Sequence, residues 1–106
     1  MYIVRTTVES MEEAERIANA LVGSGLTVCI HMTPLRSIYR WKGEVIRQEE
    51  VLLEVKTNSE MLGRTVKAIQ ESHRYEVPAI EWIECSASEQ TERWIDKESG
   101  RPVNVN

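Results

Sequence analysis

The sequence predicts an α+β fold in which one β-hairpin is longer than the body that carries it. Lys42-Gly43 supplies the turn, because glycine accepts the positive φ that tight connections require. Residues 44–56 contain no Gly or Pro and are rich in Val, Ile and Leu, so as a strand they would reach roughly 40 Å. A compact chain of about 100 residues has a radius of gyration of about 13 Å. The hairpin should therefore protrude, and its exposed apolar edge favours pairing with another chain.

The segment before the hairpin begins with a strand and a helix. Residues 2–8 are rich in β-branched side chains, which is typical of a short first strand. Ser10 and Glu13 form a capping box at the start of a helix. Apolar residues then recur at helical spacing as far as Gly23 or Gly25, where a left-handed cap is expected to end the helix.

A second strand is predicted from residues 26–32, with apolar side chains on one face. Cys29 and His31 fall on the opposite face, where the pair suits a Cu or Zn ion but supplies only half of a four-ligand site. Pro34 is expected to interrupt the strand as a bulge or an edge break, because proline cannot donate to a β-ladder. The strand resumes over residues 36–41 and leads into the hairpin.

The segment after the hairpin predicts a helix, a strand and a last helix. Thr57 or Asn58 caps the second helix. Its expected buried stripe consists of Leu62, Val66 and Ile69. Residues 79–85 read as the fourth strand, residues 86–89 as a second capping box, and residues 100–106 as a frayed or loosely docked end.

The predicted order is β-α-β-β-α-β with an additional C-terminal helix. Such split βαβ units give a ferredoxin-like sandwich, in which both helices cover one face of a four-stranded antiparallel sheet. We expect a single domain over residues 1–106. The expected core comprises Ile17, Leu21, Val28, Ile30, Leu62, Val66 and Ile69. The other face of the sheet also needs a cover, and a partner subunit is the simplest one.

Composition narrows the class of partner. The net charge of −4 disfavours nucleic acid as the main partner, because phosphate binding requires a basic surface. No apolar run approaches the about 18 residues of a membrane span, and the first residues do not resemble a signal peptide. Two cysteines are too few for a disulfide framework. These features predict a cytoplasmic protein with reduced thiols and no membrane partner.

Three segments are similar to motifs of the CutA, or divalent-cation tolerance, proteins. They are residues 37–44 (SIYRWKGE), Lys56-Thr57 at the end of the hairpin, and residues 73–80 (HRYEVPAI). The resemblance covers essentially the whole chain. It implies a cytoplasmic homotrimer whose long hairpins pair between subunits, and whose function concerns copper and other divalent cations. The chain departs from the family pattern, with Arg74 in place of Pro, Ala79 in place of Glu, and Pro34-Leu35 where a Pro-Gly often precedes the SIYRWKGE segment.

The resemblance implies a metal site at His73, with Glu76 assisting and Cys29 as a further soft donor. Cu²⁺ should outrank other divalent cations by the general order of affinities, and no metal should be essential for folding. Arg5 and Ser72 stand where copper-binding members carry Cys and a second His, so weaker binding is expected. A second interpretation stays open, in which His73 caps the preceding helix and Cys29 is a small buried hydrophobe.

The resemblance also implies a cleft between subunits. The expected cleft residues are Tyr39, Trp41, Glu50, Lys56 and Tyr75. A partly buried Lys56 beside a carboxylate would carry a proton or bind an anion, and an interface ion pair is the structural alternative. No nucleophile-base-acid set or phosphate loop is found, so catalysis is not expected. Two other functions stay open: a PII-like trimeric small-ligand sensor, and an enzyme using Lys56 and His73 in the cleft.

Overall fold

The computed structural model describes residues 1–105 of the chain. These residues form four strands and three helices in the order β1-α1-β2-β3-α2-β4-α3. Their bounds are Tyr2–Val8 (β1), Met11–Gly23 (α1), Cys29–Trp41 (β2), Glu44–Thr57 (β3), Ser59–Ser72 (α2), Ile80–Glu84 (β4) and Glu89–Glu98 (α3). The strands make one antiparallel sheet in the order β2-β3-β1-β4. The predicted ferredoxin-like sandwich with an extra C-terminal helix is thus confirmed.

Strand alternation gives the sheet two unlike faces. Val51, Leu53 and Val55 of β3 are buried on the face that α1 and α2 cover, which we call the helix face. The alternate residues, such as Glu54 and Lys56, point to the opposite side, which we call the open face. The core on the helix face is formed mainly by Val4, Val8, Ile17, Leu21, Leu53, Val55 and Ile69.

The predicted stripe of α2 is partly wrong. Ile69 is fully buried as expected, but Leu62 and Val66 are only half-buried, and Met61 and Thr65 occupy the central positions instead. The hydroxyl of Thr65 donates to the Met61 carbonyl at 2.8 Å, so the helix itself satisfies this buried polar group. Val28 and Ile30 are likewise half-buried rather than central.

The hairpin of β2 and β3 protrudes as predicted. β1 pairs with β3 only between Val51 and Thr57, so residues 35–41 and 44–50 pair with each other alone. Seven residues of strand extend the sheet by about 23 Å, and the longest dimension of the molecule is 45 Å. Lys42 and Gly43 have φ values of 50° and 80°, the positive values required by a two-residue hairpin turn.

Pro34 does not interrupt β2, contrary to the prediction. The register with β3 continues without a bulge from Cys29 to Trp41, and Pro34 lies opposite Val51. β2 is an edge strand, and half of the N–H groups of an edge strand point away from the sheet, so proline is tolerated there. β2 also begins three residues later than predicted, because Leu26 belongs to the connection that follows α1.

The helix caps explain where α1, α2 and α3 begin. The side chains of Ser10 and Asn58 accept from the backbone N–H three residues later, at 3.2 and 2.9 Å, as predicted. The third cap was placed two residues too early, since Ser88 rather than Ser86 caps α3 by accepting from the Thr91 amide at 3.2 Å. β4 is likewise shorter by one residue at each end than the predicted 79–85.

The C-terminal segment docks on the end of α1. Gly25 has a φ of 80° and ends this helix with the predicted left-handed cap. Its carbonyl accepts from the Gly100 amide at 2.8 Å, and the Gly23 carbonyl accepts from the Val103 amide at 2.9 Å. The segment is therefore tied down by backbone bonds, and Asn106 lies outside the described residues. Within residues 1–105, no helix is both long enough and apolar enough to cross a lipid bilayer.

Candidate functional site at the base of the hairpin

His73 ties the loop after α2 to β1. Its Nε2 lies 2.9 Å from the Thr7 carbonyl and 3.1 Å from the Thr6 hydroxyl, and its Nδ1 accepts from the Tyr75 amide at 3.2 Å. Both ring nitrogens are thus engaged, as in a neutral imidazole with its proton on Nε2. Burial lowers the pKa of His73, although the bond to the Thr7 carbonyl opposes this shift. His73 is the C-cap residue of α2, and its backbone N–H donates to the Ile69 carbonyl at 3.0 Å, as the capping interpretation predicts, whereas its imidazole bonds β1.

A chain of hydrogen bonds connects the hairpin with this loop. The Tyr39 hydroxyl donates to Gln48 Oε1 at 2.9 Å, Gln48 Nε2 donates to the Tyr75 hydroxyl at 2.9 Å, and that hydroxyl donates to Glu50 Oε2 at 2.8 Å. Burial, and then the bond to Glu50, raise the pKa of Tyr75 far above its usual range. Tyr75 therefore stays protonated and keeps donating to the carboxylate.

Tyr39, Tyr75 and Glu50 line a groove of about 500 Å³ that begins where the hairpin leaves the body of the sheet and reaches Trp41. Four of the five predicted cleft residues and Glu76 lie in its wall: Tyr39, Trp41, Glu50, Tyr75 and Glu76. The remaining lining residues were not predicted: Thr7, Ser37, Ile38, Val77 and Ala79. Gln48, which joins two of the tyrosines, was also missed, although its spacing of two residues from Glu50 places both on one strand face.

Lys56 lies away from the groove. It shares the open face with Glu50, but six residues of strand separate them, which is about 20 Å. Lys56 pairs across the sheet with Cys29, whereas His73 contacts Thr7, which pairs with Leu52. Four residues of β3, or about 13 Å, thus separate Lys56 from the position of His73. The geometry gives no support to an enzyme that uses Lys56 and His73 together.

Cys29 and His31 lie side by side on the open face of β2. The Cys29 Sγ is 3.6 Å from His31 Nε2, and no disulfide ties up the thiol. The predicted ligands Cys29, His73 and Glu76 are not brought together, and the carboxylate of Glu76 lies 3.5 Å from Lys42 Nζ. Within the described residues, no three His, Cys, Asp or Glu side chains are grouped closely enough to hold a metal ion. The single chain thus offers a two-ligand site at most.

Two carboxylates are buried, and their surroundings differ. Glu13 is 5% exposed and is bonded by the guanidinium of Arg16, with Arg74 Nε at 3.3 Å. The bond from Arg16, rather than the more distant charges, is the main cause that lowers the pKa of Glu13. Glu50 is 6% exposed, and within residues 1–105 no cationic side chain lies within 4.0 Å of it. Arg74, a departure from the family pattern, therefore has a structural role, whereas the charge of Glu50 has no ionic partner.

The sequence is similar to a known protein family over most of its length. Residues 2–98 match the family model described as CutA1 divalent ion tolerance protein. The divalent-cation tolerance protein CutA of Thermus thermophilus is 43% identical over 79 residues, which cover 74% of this chain and 77% of that protein.

Solved structures agree with this match. The crystal structure of CutA1 from Pyrococcus horikoshii superposes with a TM-score of 0.91 at 29% identity, over 95% of this chain and 100% of that one. The structure described as the periplasmic divalent cation tolerance protein CutA from Archaeoglobus fulgidus gives a TM-score of 0.88 at 31% identity, over 92% of this chain and 98% of the other. The chain belongs to the CutA1 divalent ion tolerance protein family.

Proposed function

We propose that this protein is a homotrimeric, non-catalytic metal-tolerance protein that binds a divalent cation, with copper preferred. The family match supports the relation to divalent cations. The observation that carries the proposal is the 3.6 Å separation of the Cys29 Sγ and His31 Nε2. Bonds of about 2.3 Å to sulfur and about 2.05 Å to nitrogen at a tetrahedral angle place the two donors about 3.6 Å apart. The pair is therefore already spaced for one ion.

The choice between copper and zinc depends on two opposed preferences. The general affinity order places Cu²⁺ above Zn²⁺. A square-planar Cu²⁺ ion would bring the donors to about 3.1 Å by the same bond lengths. His31 is exposed, so its side chain can rotate to bring the two donors to this shorter separation. We therefore expect the general affinity order, rather than the spacing of the donors, to decide which of the two ions binds more tightly. The ion would complete its coordination with water or with groups from another copy of the chain.

His73 with Glu76 is the other proposed ion site, and the contacts favour it less. An ion at His73 would have to replace the bond to the Thr7 carbonyl or the bond from the Tyr75 amide. It would also compete with Lys42 for the carboxylate of Glu76. Within residues 1–105, the Cys29 and His31 side chains hydrogen-bond only to each other, so an ion there would replace a single side-chain contact.

Titration calorimetry of Zn²⁺ tests the assignment, and the same titration with Cu²⁺ is paired with a count of free thiols before and after, because Cu²⁺ itself oxidises thiols even without oxygen. Cys29→Ser and His31→Ala should each lower the affinity by about tenfold or more, whereas Cys85→Ser, which removes the other free thiol, should not. Binding should weaken at acidic pH, because protons compete for the imidazole and the thiolate. If His73→Ala abolishes binding while Cys29→Ser does not, the ion belongs at His73.

The trimer is supported by surfaces that a single chain leaves unpaired. β2 and β4 are both sheet edges, and the hairpin exposes Ile38 and Val45 at 63% and 57%. Exposed apolar edges of this length favour pairing with another copy. The solution mass should correspond to three chains by light scattering, and Val51→Pro should dissociate them, because proline in central β3 removes a ladder donor. A stable wild-type monomer at micromolar concentration would contradict the assembly.

The remaining parts of the proposal concern location and alternatives. Two free thiols, Cys29 and Cys85, suit a reducing compartment, which supports a cytoplasmic location. Fractionation of cells that express the tagged protein would test this.

The PII-like sensor has less support, because the Lys42-Gly43 turn is only two residues long and carries no basic loop.

A further inference from the structure

We infer that the groove at the base of the hairpin binds a small organic ammonium ion. This inference does not rest on the metal proposal, since the Cys29 and His31 pair lies at the other end of β2. It rests on a buried carboxylate without a counter-ion, on aromatic side chains that line the same groove, and on an ammonium group that the protein itself places beside it.

Glu50 supplies the charge. A buried carboxylate is strongly disfavoured unless a cation or several donors compensate it, and breaking such compensation is costly. Glu13 shows the usual solution in this same fold, with two guanidinium groups beside it. Within the described residues, Glu50 receives a hydrogen bond only from Tyr75, at Oε2. Its Oε1 is thus left to the groove, where a bound cation would complete the compensation.

Aromatic rings supply the selectivity for an organic cation. Trp41, Tyr39 and Tyr75 line the same groove as Glu50, and Tyr75 contacts the carboxylate directly. The faces of such rings attract cations, most strongly when water is excluded, and aromatic walls around a carboxylate are typical of sites for substituted ammonium groups. A bare divalent metal ion would instead require several oxygen, nitrogen or sulfur ligands, which the described residues do not assemble here.

Lys42 provides an example of an ammonium group bound by a ring and a carboxylate beside the groove. Its Nζ lies 5.4 Å from the centre of the Trp41 ring and 3.5 Å from Glu76 Oε2. One ammonium group therefore lies between a ring and a carboxylate that both line the groove. Glu50 and Tyr75, which also line it, repeat the same pairing of carboxylate and ring. The volume of about 500 Å³ lies within the range of small-molecule pockets.

Choline and its neutral carbon isostere, 3,3-dimethylbutan-1-ol, test the inference on metal-free, fully assembled protein. Choline should bind in calorimetric titration and change the fluorescence of Trp41, and the neutral alcohol should bind at least about tenfold more weakly. Glu50→Gln, which keeps the shape of the side chain, and Trp41→Leu should each weaken choline binding by about tenfold or more. Matched controls are Glu54→Gln on the same face of β3 and Trp82→Leu on β4, neither of which lines the groove.

The outcomes separate this inference from its rivals. Equal affinity for choline and the neutral alcohol would show an apolar groove without charge selection and would overturn it. Unchanged choline affinity in Glu50→Gln, with melting temperature and solution mass as in the wild type, would do the same. Retained choline binding in Cys29→Ser would support it independently of metal binding, because the metal proposal predicts loss of Cu²⁺ affinity in Cys29→Ser and in His31→Ala, and neither residue lines the groove.

Discussion

Replacing His73 with alanine distinguishes a structural imidazole from a metal ligand. The substitution removes the bond between Nε2 and the Thr7 carbonyl, at 2.9 Å, and the bond from the Tyr75 amide to Nδ1, at 3.2 Å. Each such bond contributes about 0.5–1.5 kcal/mol net, so we expect a loss of about 1–3 kcal/mol in the free energy of unfolding. The upper half of that range is expected, because the carbonyl and the amide both lose their partner.

This loss should depend on pH in a defined direction. Burial lowers the pKa of His73 in the folded state, although the bond to Thr7 and the charges of Glu13 and Glu50 oppose the shift, and Arg16 adds to it. As pH falls below about 6.5, the unfolded chain takes up a proton on this histidine before the folded protein does. The wild type therefore loses stability as pH falls through this window, whereas His73→Ala does not. The difference between the two proteins should be largest above neutrality and shrink in acid.

Urea unfolding from about pH 8 to about pH 5, at one protein concentration and with a chelator present, measures this difference. His31→Ala is the matched control, because His31 is exposed and is the other of the two histidines in the chain. A constant difference across the pH range would refute the structural role of the neutral imidazole. An equal pH-dependent loss in His31→Ala would refute the assignment of that role to His73.

Two further comparisons test the packing of the fold. Gly25→Ala should be more destabilising than Gly43→Ala. Both glycines have a φ of 80°, which costs an alanine about 1–2 kcal/mol at either site. Only at Gly25 would the new Cβ also lie 2.6 Å from a backbone atom, the Arg101 nitrogen. Faster amide exchange in the docked C-terminal segment should accompany Gly25→Ala, and equal destabilisation at both sites would contradict the close approach. Ile69→Ala should lower the free energy of unfolding by about 2–5 kcal/mol, because Ile69 is fully buried. Leu62→Ala should lower it clearly less, because Leu62 is half-buried. Thermal unfolding that ranked the two variants in reverse would contradict the observed orientation of α2.

The sequence predicted the starts of α1 and α2 and the hairpin turn well, because caps and turns depend on residues close together in the chain. The Ser10 and Asn58 caps satisfy amides three residues away, and the turn at Gly43 depends on its own backbone angle. The stripe of α2 was misplaced because it was built from the apolar residues Leu62 and Val66, whereas the buried position is taken by Thr65, whose hydroxyl bonds the Met61 carbonyl within the same turn. A buried threonine of this kind is difficult to distinguish from an exposed one by apolar periodicity.

The candidate site was harder to predict because it depends on contacts between distant segments. Strand alternation places Gln48 and Glu50 on one face, but nothing local indicates that Tyr75, 25 residues from Glu50, donates to the carboxylate. The resemblance places Lys56 with Glu50 in a cleft between subunits, but within one chain their separation along β3 keeps Lys56 out of the groove. The lack of a cation beside Glu50 becomes visible only when the surroundings of every charged side chain are known.

Alternate residues of one strand point to different faces of the sheet. Those on the helix face pack in the core, and those on the open face are available for binding. Val51, Leu53 and Val55 complete the core with α1 and α2, so the chain itself supplies the whole cover of the helix face. Glu50 and Cys29 lie on the open face, together with most of the other side chains proposed to bind a cation or another subunit. Because successive side chains alternate, a substitution on the open face can change binding or assembly with little loss of core packing. The same strand can thus keep one fold while its ligand chemistry changes.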